Sequence, residues 1–367
     1  MKFELSTKPL SDALNLGVIQ ANISKYFRLS CLAQLTATKT ELRINLQASS
    51  ICTEILLKGR GDVDEEVTAF VDCLVLKQIV ATLESATVTI EYTDGGIVLH
   101  SGSSKLTLPQ LADSSDGELK RPELPKDSDP KMKLDNTDWK FVKDYQMYAV
   151  ALSFVHPIYM NVWVSESGDV IAGDFDNSLF TFSKRNKLGT TCLLTDTIVN
   201  LFNSLPEGAE ITKMGESYRV GVKTDGYEYA SEFTPKYEGE ATGNYRADVF
   251  LAQVVKDPAK AFKVAVAPIA KFLSQADLLS SGSTKVNISV SGNQLQLKDD
   301  NIDCKIAIEG QCPDFSTPMD SDHLRSVIGH LDAENVSISP IVDGDEVNGL
   351  VIWTDNLAVV IGSMDEQ

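Results

Sequence analysis

The sequence predicts an α+β protein of three tandem domains. Each is an internally doubled strand–helix–strands unit, with antiparallel sheets backed by helices on one face. Three observations predict this. A helix end followed by strand, turn and strand occurs three times: "IVATLESATVTIEYTDGGIVLH" at 79–100, "LFNSLPEGAEITKMGESYRVGV" at 201–222 and "VIGHLDAENVSISPIVDGDEVNGLVIW" at 327–353. The leucines closing the three helices are Leu83, Leu205 and Leu331, spaced by 122 and 126 residues in a chain of 367. A period of that length is a domain, because solenoid repeats are several-fold shorter. Strand-like segments also alternate apolar and polar residues around tight turns at Asp94–Gly95–Gly96, Asp225–Gly226 and Ser291–Gly292–Asn293. Period-2 strands joined by such turns pair antiparallel and bury one face.

The elements follow in order. In the first third, "KFELS" at 2–6 alternates as a strand, and Thr7 is placed to cap a helix over 8–19. Strands are expected at 29–37, 41–46, 53–58 and 66–70, then a second helix at 71–84 and further strands to about Leu108. The second third repeats the opening: "KMKLDN" at 131–136, Thr137 as cap and a helix over 138–150, with a second helix at 196–205. The last third has a strand at 261–266, Pro268 in a first helical turn and a helix to about Ser280. Its stripe of Ile269, Phe272, Leu273, Ala276 and Leu279 suits packing on a sheet. Its second helix spans 320–331. Segments 112–131 and 236–248, the latter running on to Pro258, read as connections. The domains are therefore 1–127, 128–252 and 253–367.

Composition narrows the function. No apolar run reaches the ~18 residues of a membrane span, and no leader precedes the first strand, so a soluble cytoplasmic protein is expected. Net charge is −19, which disfavours wrapping a polyanion around the outer surface and leaves a locally neutral or basic groove open. Six cysteines (Cys31, Cys52, Cys73, Cys192, Cys304, Cys312) form no C-x-x-C pair and read as buried thiols. No zincin, P-loop, nucleophile-elbow or Rossmann motif is present. The four histidines, His100, His156, His323 and His330, are scattered. "DGDEVNG" at 343–349 lacks the twelfth-position glutamate of a calcium loop and reads as a hairpin turn. Asp174 and Asp176 could hold magnesium in a nuclease-like site; an acidic strand-turn is the plainer reading. No enzyme activity, cofactor or metal is expected.

Several segments, in order and at their spacing, carry a family resemblance. They are "MKFELSTKPL" at the start, "LHSGSSKLTL" at 99–108, "LFNSLPEGAEI" at 201–211, "VSGNQLQLKDDN" at 290–301, "ENVSI" at 334–338 and "AVVIGSM" at 358–364. Over essentially its whole length the chain resembles the bacterial DNA polymerase sliding clamp, the beta subunit, as a divergent member such as a phage-encoded one would. The resemblance implies a head-to-tail homodimeric ring of six domains, with helices lining a hole for duplex DNA. It implies processivity without catalysis: the ring tethers a replicative polymerase, and other replication proteins and the loader dock through short peptides. A scaffold of the same fold that recruits partners without encircling DNA is the alternative.

Matching positions give the expected sites. The dimer interface falls on Leu106, Leu108, Leu278 and Leu279. DNA contacts fall on Lys8, Lys25, Arg28, Lys77, Lys140, Lys143, Lys271 and Arg325, with Tyr159 in a loop near the channel. The partner-peptide pocket falls on Met160, Leu179, Tyr245, Val359, Ile361 and Met364. Two kinds of departure stand out. Positions usually basic on the second helices are Leu74, Val75, Thr195 and Asp196, and the six helical segments sum to −3. Few phosphate contacts imply a shallow salt dependence. At the pocket, "DFDNSL" at 174–179 replaces Gly-His-Arg-Leu and "VIGSMDEQ" at 360–367 replaces a Met-Pro-Met tail, so the preferred peptide is expected to differ.

Overall fold

The computed structural model describes residues 1–18, 32–48, 51–62, 65–111, 122, 131–133, 139–140, 142–150, 160–174, 179–184, 191–206, 209–235, 257–279 and 284–364. One order of elements, strand–helix–three strands, recurs along it. The first third holds β1 (Lys2–Ser6), α1 (Thr7–Gly17), β2 (Leu32–Ala37), β3 (Glu41–Ala48) and β4 (Ile51–Gly61). It then holds β5 (Val67–Asp72), α2 (Cys73–Ala81), β6 (Thr87–Thr93), β7 (Gly96–Ser101) and β8 (Ser104–Pro109). The middle third has β9 (Lys131–Lys133), β10 (Asn161–Val164), β11 (Asp169–Asp174) and β12 (Leu179–Lys184). After these come β13 (Cys192–Thr195), α3 (Asp196–Ser204), β14 (Glu210–Met214), β15 (Ser217–Lys223) and β16 (Tyr227–Phe233). The last third has β17 (Phe262–Ala265), α4 (Val266–Leu279), β18 (Lys285–Ser291), β19 (Gln294–Lys298), β20 (Asp303–Ala307) and the two-residue β21 (Glu309–Gly310). It closes with β22 (Phe315–Asp320), α5 (Ser321–His330), β23 (Asn335–Asp343), β24 (Glu346–Trp353) and β25 (Leu357–Gly362). The expected α+β architecture, mostly antiparallel strands with few helices, is what the chain adopts.

The two halves of each third exchange their first strands. β1 pairs with β6, and β5 with β2. β9 pairs with β14, and β13 with β10. β17 pairs with β23, and β22 with β18. Neither half can complete its sheet alone, which is the physical reason for the doubling.

By compactness the chain forms two units: 1–136 with 197–235, and 137–196 with 236–367. Both draw on the middle third, because strands pair beyond the expected boundaries. In the first unit β4 pairs with β16 from Ile51↔Phe233 to Leu57↔Tyr227. In the second, β12 pairs with β25 from Leu179↔Ile361 to Ser183↔Leu357.

In the first unit α1 lies on β4 and β16, burying Leu10 and Leu14 completely. Phe202 packs edge-on to Phe233 at 5.3 Å between ring centres, and Tyr218 stacks on Phe233 at 5.6 Å. In the second unit α4 packs on α5. Burial alternates along β1 and β18, as half-buried strands require.

Local corrections to the sequence reading have plain causes. Thr7 is the first helical residue and Ser6 the cap, because the Thr7 N–H is already bound to the Ala86 carbonyl at 2.9 Å. α2 starts at Cys73, since the Asp72 carboxylate accepts from the Val75 N–H at 3.0 Å and fixes the start. The region expected as one helix over 138–150 contains a π-helical turn, Val142–Gln146, and a 3-10 turn, Met147–Ala149. There the buried Gln146 amide donates to Ser183 Oγ at 2.7 Å and to the Val170 carbonyl at 3.2 Å, tying the turn to the sheet. Leu279 leaves the buried stripe of α4 and stands 58% exposed at the last helical position. Cys52, Cys73 and Cys192 are buried; Cys304, on a strand at the end of its sheet, and Cys312 are only half-buried. Cys31 lies outside the described residues.

Candidate nucleic-acid and partner interfaces

The helices present few free cations. Lys8, exposed on the first turn of α1, holds Asp12 one turn on at 2.8 Å. That partner raises the Lys8 pKa above its usual value. Arg325 on α5 is bound by two carboxylates, Asp322 on its own helix and Asp277 on α4. The hydrogen bond to Asp277 is the main reason its pKa is raised. Lys77 on α2, half-buried, and Lys271 on α4, exposed, have no carboxylate partner among the described residues. Lys140 is exposed, and Lys143 is half-buried within the π-helical turn. Lys25, Arg28 and Tyr159 lie outside the described residues. Val75 is exposed on α2, and Asp196 opens α3.

The interface leucines divide. Leu108 is buried and Leu106 half-buried on β8, each paired to β7 (Ile97↔Leu108, Leu99↔Leu106). Leu278 and Leu279 are exposed at 82% and 58%. They are two of the few large apolar side chains left in the open, and both sit at the end of α4. The Leu279 carbonyl accepts from the Asn301 side-chain amide at 3.4 Å.

The edges of the sheets follow a rule. The strands that close the six halves are β4, β8, β12, β16, β20 and β25, the two-residue β21 after β20 returning to β17. β4 takes β16 and β12 takes β25. In both cases the first half of one third pairs with the second half of the next. β8, from the second half of the first third, and β20, from the first half of the last, end their sheets. Among the described residues nothing pairs with their outer sides.

Of the expected pocket residues, Leu179 lies on β12, Val359 and Ile361 on β25, Met160 just before β10 and Met364 just after β25. Leu179, Val359 and Ile361 share one face across the β12–β25 pair and are buried. Met160 and Met364 are half-buried, and the Met364 N–H donates to the Pro318 carbonyl at 3.0 Å. Tyr245 lies outside the described residues.

The metal readings gain nothing. Asp174 is half-buried at the end of β11, and Asp176 lies outside the described residues. The 343–349 segment is the β23–β24 hairpin, with Gly344 at φ +64. No cluster of three metal-ligating side chains occurs among the described residues. His330 Nδ1–H donates to the Ser326 carbonyl, 2.6 Å away, and the ring stacks on Tyr148 at 5.3 Å. A concavity of about 560 Å³ over Gly221 and Ala230 is rimmed by Glu54, Glu210, Arg219, Lys223 and Glu228. Glu54 is bound by Arg43 at 3.3 Å and Glu228 by Lys223, and no expected site residue lines it.

The arrangement of paired halves, with β8 and β20 left over among the strands that close them, can be compared with known proteins. No protein-family model matches the chain, and no curated protein sequence matches it. Solved structures do, end to end. The DNA polymerase III beta subunit of Borrelia burgdorferi superposes with a TM-score of 0.77 at 13% identity, covering 100% of this chain and 99% of that one. The beta subunit of Thermotoga maritima gives 0.77 at 14% identity, with all of both chains covered. The DNA polymerase sliding clamp of Bacillus subtilis gives 0.74 at 16%, again over both whole chains. The chain has the bacterial sliding-clamp fold. Identity this low establishes the clamp fold and leaves its ligands to be argued from its own residues. No described helix is long and apolar enough to cross a membrane.

Sequence reasoning missed the β4–β16 and β12–β25 pairings and the Arg325–Asp277 contact. Each joins residues from separate elements, and no local pattern marks them.

Proposed function

We propose that this chain is a DNA sliding clamp: a non-enzymatic ring that encircles duplex DNA and tethers a replicative polymerase and other replication proteins. The supporting observation is the rule of sheet edges. The pairing that joins each third to the next leaves β8 and β20 over. The same rule, applied once more, puts β20 of one copy against β8 of the next. That contact is head to tail, and closing it with two copies makes a ring of six domains, taken as 1–127, 128–252 and 253–367. It also covers two open strand edges, which are otherwise aggregation hazards. Exposed Leu278 and Leu279 then meet half-buried Leu106 across the joint, while Leu108, expected there too, is already buried in its own domain.

The work such a ring does is topological. A closed circle cannot leave a strand sideways, so a tethered enzyme keeps the ring's residence time. Phosphate contacts need only be weak and blind to sequence, which permits sliding. Lys77, Lys140, Lys143 and Lys271 are the described cations for that role, with Lys8 and Arg325 held by carboxylates; Lys25, Arg28 and Tyr159 complete the set. Met160, Leu179, Tyr245, Val359, Ile361 and Met364 form the proposed dock for short peptides of polymerase and loader. Apolar, methionine-containing surfaces suit several such partners. No cofactor takes part, and the cytoplasm, where replication proteins meet DNA, is the proposed location.

The test is loading onto nicked circular DNA. Retention on the circle and release on linearisation is the expected result; retention after linearisation overturns it in favour of ordinary binding. The scaffold alternative draws on one observation, the pairing of Lys8 and Arg325 with carboxylates. It requires a particle that binds polymerase peptides and never stays on the circle.

A further inference from the structure

Arg325 is the most constrained cation on the described helices. Its guanidinium contacts Asp322 one turn back on α5 and Asp277 across on α4, where the two helices pack. Both carboxylates are themselves largely exposed, as is the arginine's outer side. Stability does not explain such an arrangement, since exposed ion pairs contribute little. What it changes is charge. Two carboxylates on one guanidinium leave that patch net negative, and Asp12 does the same neutralising work on Lys8. Of the six described cations expected to meet phosphate, two are therefore held by carboxylates.

We infer that Asp277 and Asp322 set the strength of this chain's hold on duplex DNA by masking Arg325. The inference rests on the ring reading above. A masked guanidinium must first give up two carboxylates before it can bind a phosphate. The ring then relies on closure for retention and loses little by sliding. Freed, the same arginine offers a planar fork that matches phosphate well. Each phosphate neutralised releases a condensed counterion and steepens the dependence of log K on log salt by about 0.9, on the order of tenfold in affinity at 0.1 M salt.

The experiment compares the full-length protein with its Asp277→Asn/Asp322→Asn variant. A fluorescent linear duplex reports affinity by anisotropy across a salt titration. The variant is expected to bind on the order of tenfold tighter at low salt, with a steeper slope. Adding Arg325→Ala to the variant should return both quantities to the starting values. An Asp94→Asn/Asp345→Asn control removes the same charge from exposed hairpin turns and should leave the slope unchanged. Equal gains in control and variant, or a gain that survives Arg325→Ala, would overturn the masking. Single Asp277→Asn and Asp322→Asn proteins, each expected to give part of the gain, provide the same test should the double variant misfold. Retention of the starting protein on nicked circles separates the two claims: retained circles with no variant effect sink the masking alone, and lost circles sink the ring.

Discussion

Gly59 lies on β4, paired with Leu5 of β1, whose other side pairs with β6. A methyl group there would lie 2.5 Å from the Glu4 carbonyl oxygen and 2.4 Å from the Phe3 ring, and backbone cannot give way cheaply. Gly59→Ala is expected to cost about 1–3 kcal/mol, read from the urea midpoint. Gly96 is held more firmly still, by φ +130 and a Leu108 carbonyl 2.2 Å from any added Cβ. Charge at this scale is also testable. His100 Nε2 lies 2.7 Å from Glu91 Oε2, and this hydrogen bond, with Lys2 and Lys105 nearby, lowers the Glu91 pKa against the opposing effect of burial. A lowered carboxylate pKa contributes stability above the unfolded value of about 4.3, lost as pH falls through the folded one. In His100→Ala the Glu91 pKa should rise towards the ordinary value, followed by carboxyl carbon NMR. An unchanged titration would remove the pair from the account.

Among the elements, α2 depends on its cap. Asp72→Ala removes the acceptor for the Val75 N–H and should destabilise the protein by about 1 kcal/mol; Asp72→Asn should restore most of it in the same melt. The two unmatched edges carry the larger claim. Leu106→Asp or Leu279→Asp places a charge in the proposed joint between β8 and α4 of the next copy. Sedimentation should then show monomers where the unaltered protein sediments as a dimer, and an unchanged mass would refute the assignment. Of these features, β8 was legible in the sequence, because alternation marked it; the exposure of Leu279 was not, since its helical stripe put it in the core. That β8 and β20 are the leftover edges was not, since it follows only once β4 and β16, far apart in the chain, are seen paired.

For the whole molecule, the joints decide what can fold alone. β4 buries Ile51, Ile55 and Leu57 beside Tyr229 and Phe233 of β16, with Thr53 and Ser231 hydroxyls 3.0 Å apart inside. A fragment of residues 1–127 lacks β16 and bares that edge. It should associate or aggregate in sedimentation. A well-behaved monomeric fragment would show that the joint contributes little. The sequence by itself determined the α+β class, the doubled units, their threefold period and the scarcity of helical cations, because alternation, turn chemistry and charge are local properties of a chain. Only the tertiary structure decided which strands exchange, which edges remain and which carboxylates hold Arg325, since those depend on residues brought together from distant segments by burial.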